Sequence, residues 1–523
     1  MIRYLIVFLY KFFYIYKINL NFFYKKYKNT GYSYDFQSTI FINESFQKNT
    51  LYTENYLFNK KNTEIPNDFH TFDWLTVAKK IGGAQCITLA KKQIFNWHKK
   101  KYSKMSNLWS AGLVARRLTN LVYNYDFFAV SSTLDEKKII HQIILEHFLI
   151  LNYEFKTLKI YDQDIVVPKI ILLMNLIYEK KTTNTIEALL KHINNTVDQN
   201  GRHKSNNPSY QAEFVCQMHE IKNIFLFFDL NIPEEIENKI KSMTSTMLSF
   251  LHKDNTIALF NGSNNANLKD FIKTLNLVKD LKPKKLKNAA GGVVVFEDKM
   301  KKLLFDITRP SSKEINQNLH AGTLSFEISG NKEKIITNCG SIETRHGKKP
   351  EYLRYSAAHS TIILNNTNIS ELVEKKSYRR TPKKINFIFD ENNNEIVWEA
   401  SHDGYEKNFN KIVKRKILIF KDENKIIGKD SIISTKIKSN KILYNIRFHL
   451  MPHCSCLLTN NHKSVLIKTG LNESWIFEST SPITVEDSIF VGDGKKLEQT
   501  KQIVISNYAE ETNKIENWSF KKI

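Results

Sequence analysis

Apolar residues recur through the first half of the chain at intervals of three and four. Phe214, Met218, Ile221, Phe225 and Phe228 make one such stripe, the pattern of a helix with one buried face. Asn231-Ile232-Pro233-Glu234-Glu235 then reads as a helix start, with proline and acids in the first turn. Ile236, Ile240, Met243, Met247 and Phe250 continue as its stripe. The same spacing predicts helices around 84–98, 110–128, 137–157 and 169–179. Residues 70–280 therefore read as a succession of amphipathic helices joined by short loops.

The period changes after Leu281-Lys282-Pro283-Lys284-Lys285, a basic, proline-containing piece that reads as a linker over 281–290. Beyond it come short β runs with turns about every ten residues: Gly292–Phe296, Leu303–Asp306, Ile412–Phe420, Lys425–Ile433 and Ile442–Leu450. The two runs flanking Lys421-Asp422-Glu423-Asn424 read as a hairpin. Many short antiparallel runs favour a sandwich over a parallel sheet. The expected organisation is a lead-in over 1–69, an all-α domain over 70–280, the linker, and an all-β domain over 291–523.

Composition narrows the class. The 523 residues are 42% hydrophobic and 25% charged, with 17 Gly and 10 Pro, which excludes a collagen-like, Pro/Gly-rich disordered or polytopic membrane chain. Lys and Arg number 77 against 53 Asp and Glu, a formal charge of +24. That surplus favours anionic partners, although recurring Lys and Asn runs also reflect simple compositional bias. No helix-turn-helix, zinc-finger or RNP-like signature accompanies the charge, so nucleic acid is not the expected partner. No Walker A or GxGxxG motif opens a helix.

The five cysteines (Cys86, Cys216, Cys339, Cys454 and Cys456) are too sparse and uneven for a disulfide framework. His453-Cys454-Ser455-Cys456 lacks the two-to-four-residue spacing of zinc clusters, and on a strand its thiols would share one face as core residues. The N-terminal stretch 1–26 is apolar and aromatic, but Lys11 and Lys17 keep any run below the ~20 residues a spanning helix needs. It also lacks the cleavage site of a standard signal peptide. Three readings stand open for it: a membrane-surface helix, an ordinary first helix, and a non-standard export signal.

Dense polar groups break the pattern in a few places. Asp198 to Tyr210 is a loop ending at a helix start, and Arg202, His203, Asn207 and Tyr210 within it could supply an anion clamp, a base and a phenol. The competing reading is a capping loop, since Asn207-Pro208-Ser209 suits a helix N-terminus without any chemistry. His320 precedes a strand in which Leu324, Phe326 and Ile328 bury one face. Arg354 opens the stretch to Thr361, in which His359 precedes Ile362-Ile363-Leu364. Each histidine could equally be a packed structural residue.

Taken together these segments resemble the heparinase II/III-like family of polysaccharide lyases, in an alphaproteobacterial-type branch. The resemblance rests on Phe72-Asp73-Trp74-Leu75, Ala115-Arg116-Arg117-Leu118, Tyr125-Asp126-Phe127, Asp198 through Pro208, and Ala258-Leu259-Phe260-Asn261-Gly262. In the β half it rests on His320 through Glu327, Ala358-His359-Ser360-Thr361, His402-Asp403-Gly404-Tyr405, Arg447-Phe448-His449, Trp475-Ile476-Phe477 and Glu486-Asp487-Ser488. It implies an incomplete α/α toroid followed by a C-terminal antiparallel β-sandwich. It also implies a lyase that cleaves a uronic-acid polysaccharide by β-elimination at the cell envelope or periplasm.

The resemblance further implies Tyr210 as acid, or as both base and acid, with His203 in the same loop. His320 would be base or carboxylate neutraliser, Arg202 and Asn207 would bind the acidic sugar, and Arg354 joins them as a binding residue. The family's Asn, often Asn-His, on an earlier helix has no clean match in Glu146 through Asn152, where His147 or Asn152 stands nearest. No cofactor is expected beyond a structural zinc, for which His359 is the candidate ligand. Asn338 stands at the metal-site acid position, and Gly322 replaces a polar residue two after His320. The alternative function is a non-catalytic glycan-binding or envelope-assembly protein on the same fold.

Overall fold

The computed structural model describes residues 67–102, 107–158, 165–266, 268–276, 281–287, 292–309, 320–342, 350–373, 377–436, 441–510 and 513–523. The aromatic stretch 1–26, with its expected membrane-surface contact, lies outside the described residues. A helical part comes first, then antiparallel sheets, as the period change at 281 predicts. The chain divides into two units: one runs to Thr196 and adds Cys216–Asn238, the other takes Val197–Val215 and Lys239–Ile523.

The helices Gly83–Lys99, Leu134–Leu158, Val166–Ile177, Pro208–Phe227 and Glu234–Ser249 cover the predicted stripes. The stretch expected as one helix over 110–128 is two, Ala111–Tyr123 and Tyr125–Ala129. The break falls at Asn124, whose side-chain amide donates to Asn120 O at 2.9 Å and to Thr76 Oγ1 at 3.2 Å. Asparagine competes in this way for helix backbone groups. Val166–Ile177 is apolar almost all round and correspondingly buried. Its single charge, Lys169, is neutralised by Glu220, which also accepts from the Tyr123 hydroxyl at 3.2 Å. Among the described residues no helix is long and apolar enough to cross a membrane.

In the second unit two eight-stranded sheets are found among the described residues, and every pairing is antiparallel. One sheet carries Val293–Glu297, Lys302–Asp306, Phe326–Ser329, Lys334–Thr337 and Ile442–Leu450 in that order. The other is centred on the predicted hairpin, Lys411–Phe420 paired with Lys425–Ser434 through Ile419 and Ile426. Aromatic rings from both sheets meet between them: Phe326 stacks on Trp518 at 5.3 Å, and Phe448 lies 4.8 Å from Phe477. Cys454 and Cys456 both pack on this core, as their spacing predicts.

Lys411–Phe420 alternates buried and half-buried residues, the period of a strand with one core face. Arg415 lies on that inward face and is fully buried. Its charge is met by Asp430 through Nε at 2.7 Å and Nη2 at 2.8 Å, while Nη1 donates to Leu324 O and Ser360 O. One bidentate pair thus fixes the two backbone segments that carry the candidate histidines. Leu324 itself adopts a left-handed φ of 62°, which a branched side chain rarely takes. The turn after His320 is therefore strained and held from outside.

Candidate active site

The polar loop is built around a turn. Asp198 Oδ1 accepts from the backbone of Asn200 at 2.8 Å and of Arg202 at 2.9 Å. Gly201 sits at φ 76° with Ser242 so close that a Cβ would approach its atoms to 2.4 Å, so only glycine fits. Arg202 folds back onto Asp198, with Nη2 at 2.9 Å from Oδ2. The loop ends at Asn207, whose Oδ1 accepts from Tyr210 N at 3.0 Å and Ser209 Oγ at 2.9 Å while Nδ2 donates to Asn261 O at 3.0 Å. That is a helix cap, and it uses both ends of the amide. The expected saccharide contact through Asn207 is thereby replaced by a structural role.

Capping sets Tyr210 in the first turn of Pro208–Phe227, half-buried, with its ring against His203 at a centroid distance of 4.7 Å. His203 is buried between Tyr210 and Phe214, the latter at 5.1 Å. Its Nδ1 receives the Ser205 backbone N–H at 3.1 Å and faces Ser205 Oγ at 2.8 Å. A backbone N–H can only donate, so Nδ1 is the acceptor and the ring proton resides on Nε2. The structure therefore brings two of the three expected catalytic side chains into contact.

His320, the third, is buried and pairs instead with His359 at 5.3 Å. The neighbouring Ala321 N–H donates to Arg354 O at 2.9 Å, which brings the backbone of the half-buried Arg354 beside this pair. His147 belongs to the other unit and is fully buried. Its Nε2 accepts from Arg117 Nε at 2.7 Å and Nδ1 meets Ile143 O at 2.7 Å, beneath Trp109 and Trp97. Both nitrogens are spent inside the helical core, so His147 is corrected from a binding residue to a packing one. Arg117 itself lies 4.4 Å from the Trp97 ring centre.

Two buried carboxyls, Glu327 and Asp306, were not among the expected site residues. Glu327 is fully buried, and Oε2 receives His252 Nε2 at 2.8 Å, Leu259 N at 3.1 Å and Lys334 Nζ at 3.1 Å. Oε1 receives Asn338 through N at 3.0 Å and Nδ2 at 3.2 Å. These donors hold its carboxyl at about 2 despite burial. The strand Phe326–Ser329, expected to bury one face, is buried on both because His252 and its neighbours cover Glu327 and Ser329. Asp306 is equally buried but accepts only the Thr308 N–H among described backbone donors, at 2.8 Å, and burial raises its carboxyl to about 7. The signal for Asp306 was an acid closing the apolar run Leu303-Leu304-Phe305.

The residues do not suit a zinc ion. Asn338 is fully committed: its amide donates to Glu327 and its Oδ1 accepts Ser360 N at 3.0 Å. Gly322 offers no side chain, and its Cα faces the His359 ring so closely that a Cβ would stand 2.9 Å away. Among the described residues no three His, Cys, Asp or Glu side chains converge as metal ligands.

Comparison with known proteins bears on this arrangement. The family described as heparinase II/III-like, C-terminal, matches residues 282–519. Residues 282–519 form a heparinase II/III-like C-terminal domain. The fold of the chain is similar to solved structures bearing that name. A crystal structure of heparinase III aligns with a TM-score of 0.74 at 13% identity, covering 99% of this chain and 91% of the other. The heparinase III BT4657 gene product gives 0.67 at 13%, covering 96% and 88%. Heparan sulfate lyase HepC from Pedobacter heparinus gives 0.61 at 13%, covering 96% and 87%. No curated protein matches the chain. At this identity the likeness fixes the fold class, the α/α toroid with antiparallel β-sandwich expected above, and leaves the chemistry to the residues.

Proposed function

We propose that this heparinase II/III-like protein is a polysaccharide lyase that cleaves a uronic-acid polysaccharide, of the glycosaminoglycan type, by β-elimination. The observation that carries the reading is the contact of Tyr210 with His203 at the capped start of Pro208–Phe227. β-Elimination needs a group to take the proton at C5 and a group to give one to the departing O4 oxygen. A half-buried phenol can serve both steps in turn: as a tyrosinate, its own proton already released to solvent, Tyr210 takes the C5 proton, and the phenol so formed gives it to the departing O4 oxygen, while His203 packs against the ring. His320 is assigned to the same reaction from the resemblance, as base or neutraliser. The +24 charge supports a polyanionic substrate through faster encounter. Action at the cell envelope or periplasm, and the alphaproteobacterial-type branch, belong to the same proposal.

The test is ultraviolet absorbance of the 4,5-unsaturated product with heparan sulfate, alginate, hyaluronan and polyglucuronate. Tyr210→Phe is expected to lower turnover by ~10²–10⁴-fold, the contribution of one positioned acid–base group. His320→Ala is expected to lower it comparably. A rise that survives both substitutions keeps the lyase and removes these residues from it. A flat trace with every substrate, while binding persists, favours a non-catalytic glycan-binding protein on the same fold.

A further inference from the structure

The ring contact between Tyr210 and His203 joins two pieces of chain, a loop and the first turn of a helix, and one side chain ties them together. Gln211 directly follows Tyr210. Its backbone N–H donates to Asn207 O at 2.9 Å, which places it in the capped first turn. Tyr210 is half-buried there, whereas Gln211 is 1% exposed. The Gln211 Oε1 accepts the His203 N–H at 2.6 Å. Its Nε2 donates to Gly201 O at 2.8 Å and to Met243 O at 3.1 Å. A backbone N–H only donates and a carbonyl only accepts, so these partners fix which end of the amide is oxygen.

The loop closes on itself first. Val197 bridges to His203, and Asp198 N donates to Arg202 O at 2.9 Å. Those bonds set its shape, and the Gln211 amide then ties it to the turn that carries Tyr210. Both of its contacts in the loop flank Arg202, at Gly201 and His203. The third contact, Met243, anchors the amide to the Glu234–Ser249 helix. Both amide protons and the oxygen are used, all on backbone groups, and burial keeps the amide away from any sugar.

We infer that Gln211 is the positioning residue of the Tyr210–His203 pair. Its amide sets the ring contact of 4.7 Å, and with it the place of the phenolate oxygen that takes the C5 proton. The role rests on the lyase reading and is exercised wholly through Tyr210.

The experiment measures kcat and KM on the uronate polysaccharide that the parent cleaves. It uses the full chain with Gln211→Ala and Gln211→Glu, each in the parent and in a Tyr210→Phe background. Gln211→Ala is expected to lower kcat ~10–100-fold, the scale of a misplacement of about 1 Å at a reacting group. KM should change little, since the amide does not meet the substrate. In the Tyr210→Phe background the same change should cost little more, because residues that act as a unit are not additive.

Gln211→Glu adds a pH signature. Its ionised carboxylate would face the carbonyls of Gly201 and Met243, and only the protonated acid regains a donor for one of them. Burial and those carbonyls raise this carboxyl. Activity relative to the parent should therefore be greatest at acid pH and fall as pH rises, which also keeps the role testable where Gln211→Ala does not fold.

A loss by the same factor in both backgrounds overturns the assignment and makes Gln211 a folding residue. An unchanged kcat in Gln211→Ala overturns it too, as does a Gln211→Glu ratio that stays flat with pH. In each of these cases an active parent leaves the lyase standing. A parent that cleaves no substrate overturns the lyase reading and this role with it.

Discussion

Glu327 and Asp306 are both buried carboxyls on one face of the same sheet, and they are treated in opposite ways. Leu304 pairs with Glu327 and Phe305 with Phe326, so Asp306, two residues beyond Leu304, points to the same side. Glu327 collects Lys334, His252 and backbone donors and stays ionised, with its carboxyl at about 2. Asp306 has one backbone donor and the more distant Arg202, and its carboxyl rises to about 7. Desolvation is the largest influence on both, so the partners decide the outcome. Where every polar atom is answered, the region is architecture. Where polar atoms are buried and left over, as on the His359 ring, nothing in the structure answers them.

The most severe way to break this contrast is Glu327→Gln. It leaves Lys334 buried without its counter-charge, and removal of one member of a buried ion pair costs ~3–5 kcal/mol. Denaturant unfolding at neutral pH measures the loss. The pH dependence has a definite sign. The folded carboxyl titrates near 2 and the unfolded one near 4.5, so this stability is present above 4.5 and drains away as pH falls toward 2. The variant should lack that acid limb. An unfolding midpoint equal to that of the parent protein would mean that desolvation had cancelled the whole network.

Asp306→Asn sharpens the contrast from the other side. The folded carboxyl titrates at about 7 and the unfolded one near 3.8, so the folded state holds a proton the unfolded state has released. Stability therefore declines as pH rises from about 4 to about 7 and stays reduced beyond it. An asparagine keeps the acceptor for Thr308 N and carries no charge to bury. The variant should be more stable than the parent at pH 8, by up to roughly 4 kcal/mol, and equal to it near pH 4. A parallel pair of stability–pH curves would show that Asp306 is solvated in solution.

Much of this organisation was legible in residue spacing, and the failures have physical causes. The stripe from Phe214 to Phe228 and the hairpin at 421–424 follow from local periodicity, which needs no tertiary information. The burial of Glu327 and Ser329 was not legible, because the residue that covers them, His252, lies more than seventy positions earlier. His147 looked available because a histidine on a helix is ambiguous until its neighbours are known; Arg117, thirty residues away, claims one nitrogen. Asn207 admitted both a capping and a binding reading, and the hydrogen bonds to Ser209 and Tyr210 decide it. Arg202 was identified as an anion contact, but its Nη1 packs against the backbone of Gly292, which carries no side chain to notice.

The smallest expected effect tests the open region most directly. His359 is fully buried, and neither ring nitrogen meets a partner in the structure. Burial lowers its imidazolium to about 4, so at neutral pH the ring is uncharged. An uncharged ring that forfeits its hydrogen bonds to water and gains none in exchange adds packing alone. His359→Phe keeps an aromatic ring beside His320 and over Gly322, and replacing an unbonded polar group by an apolar one of similar shape is close to neutral. The unfolding free energy should move by less than about 1 kcal/mol, in either direction. A loss of roughly 2 kcal/mol or more, the cost of stranding bonded partners, would show that the nitrogens are engaged in solution. His359 would then belong with Glu327 as architecture.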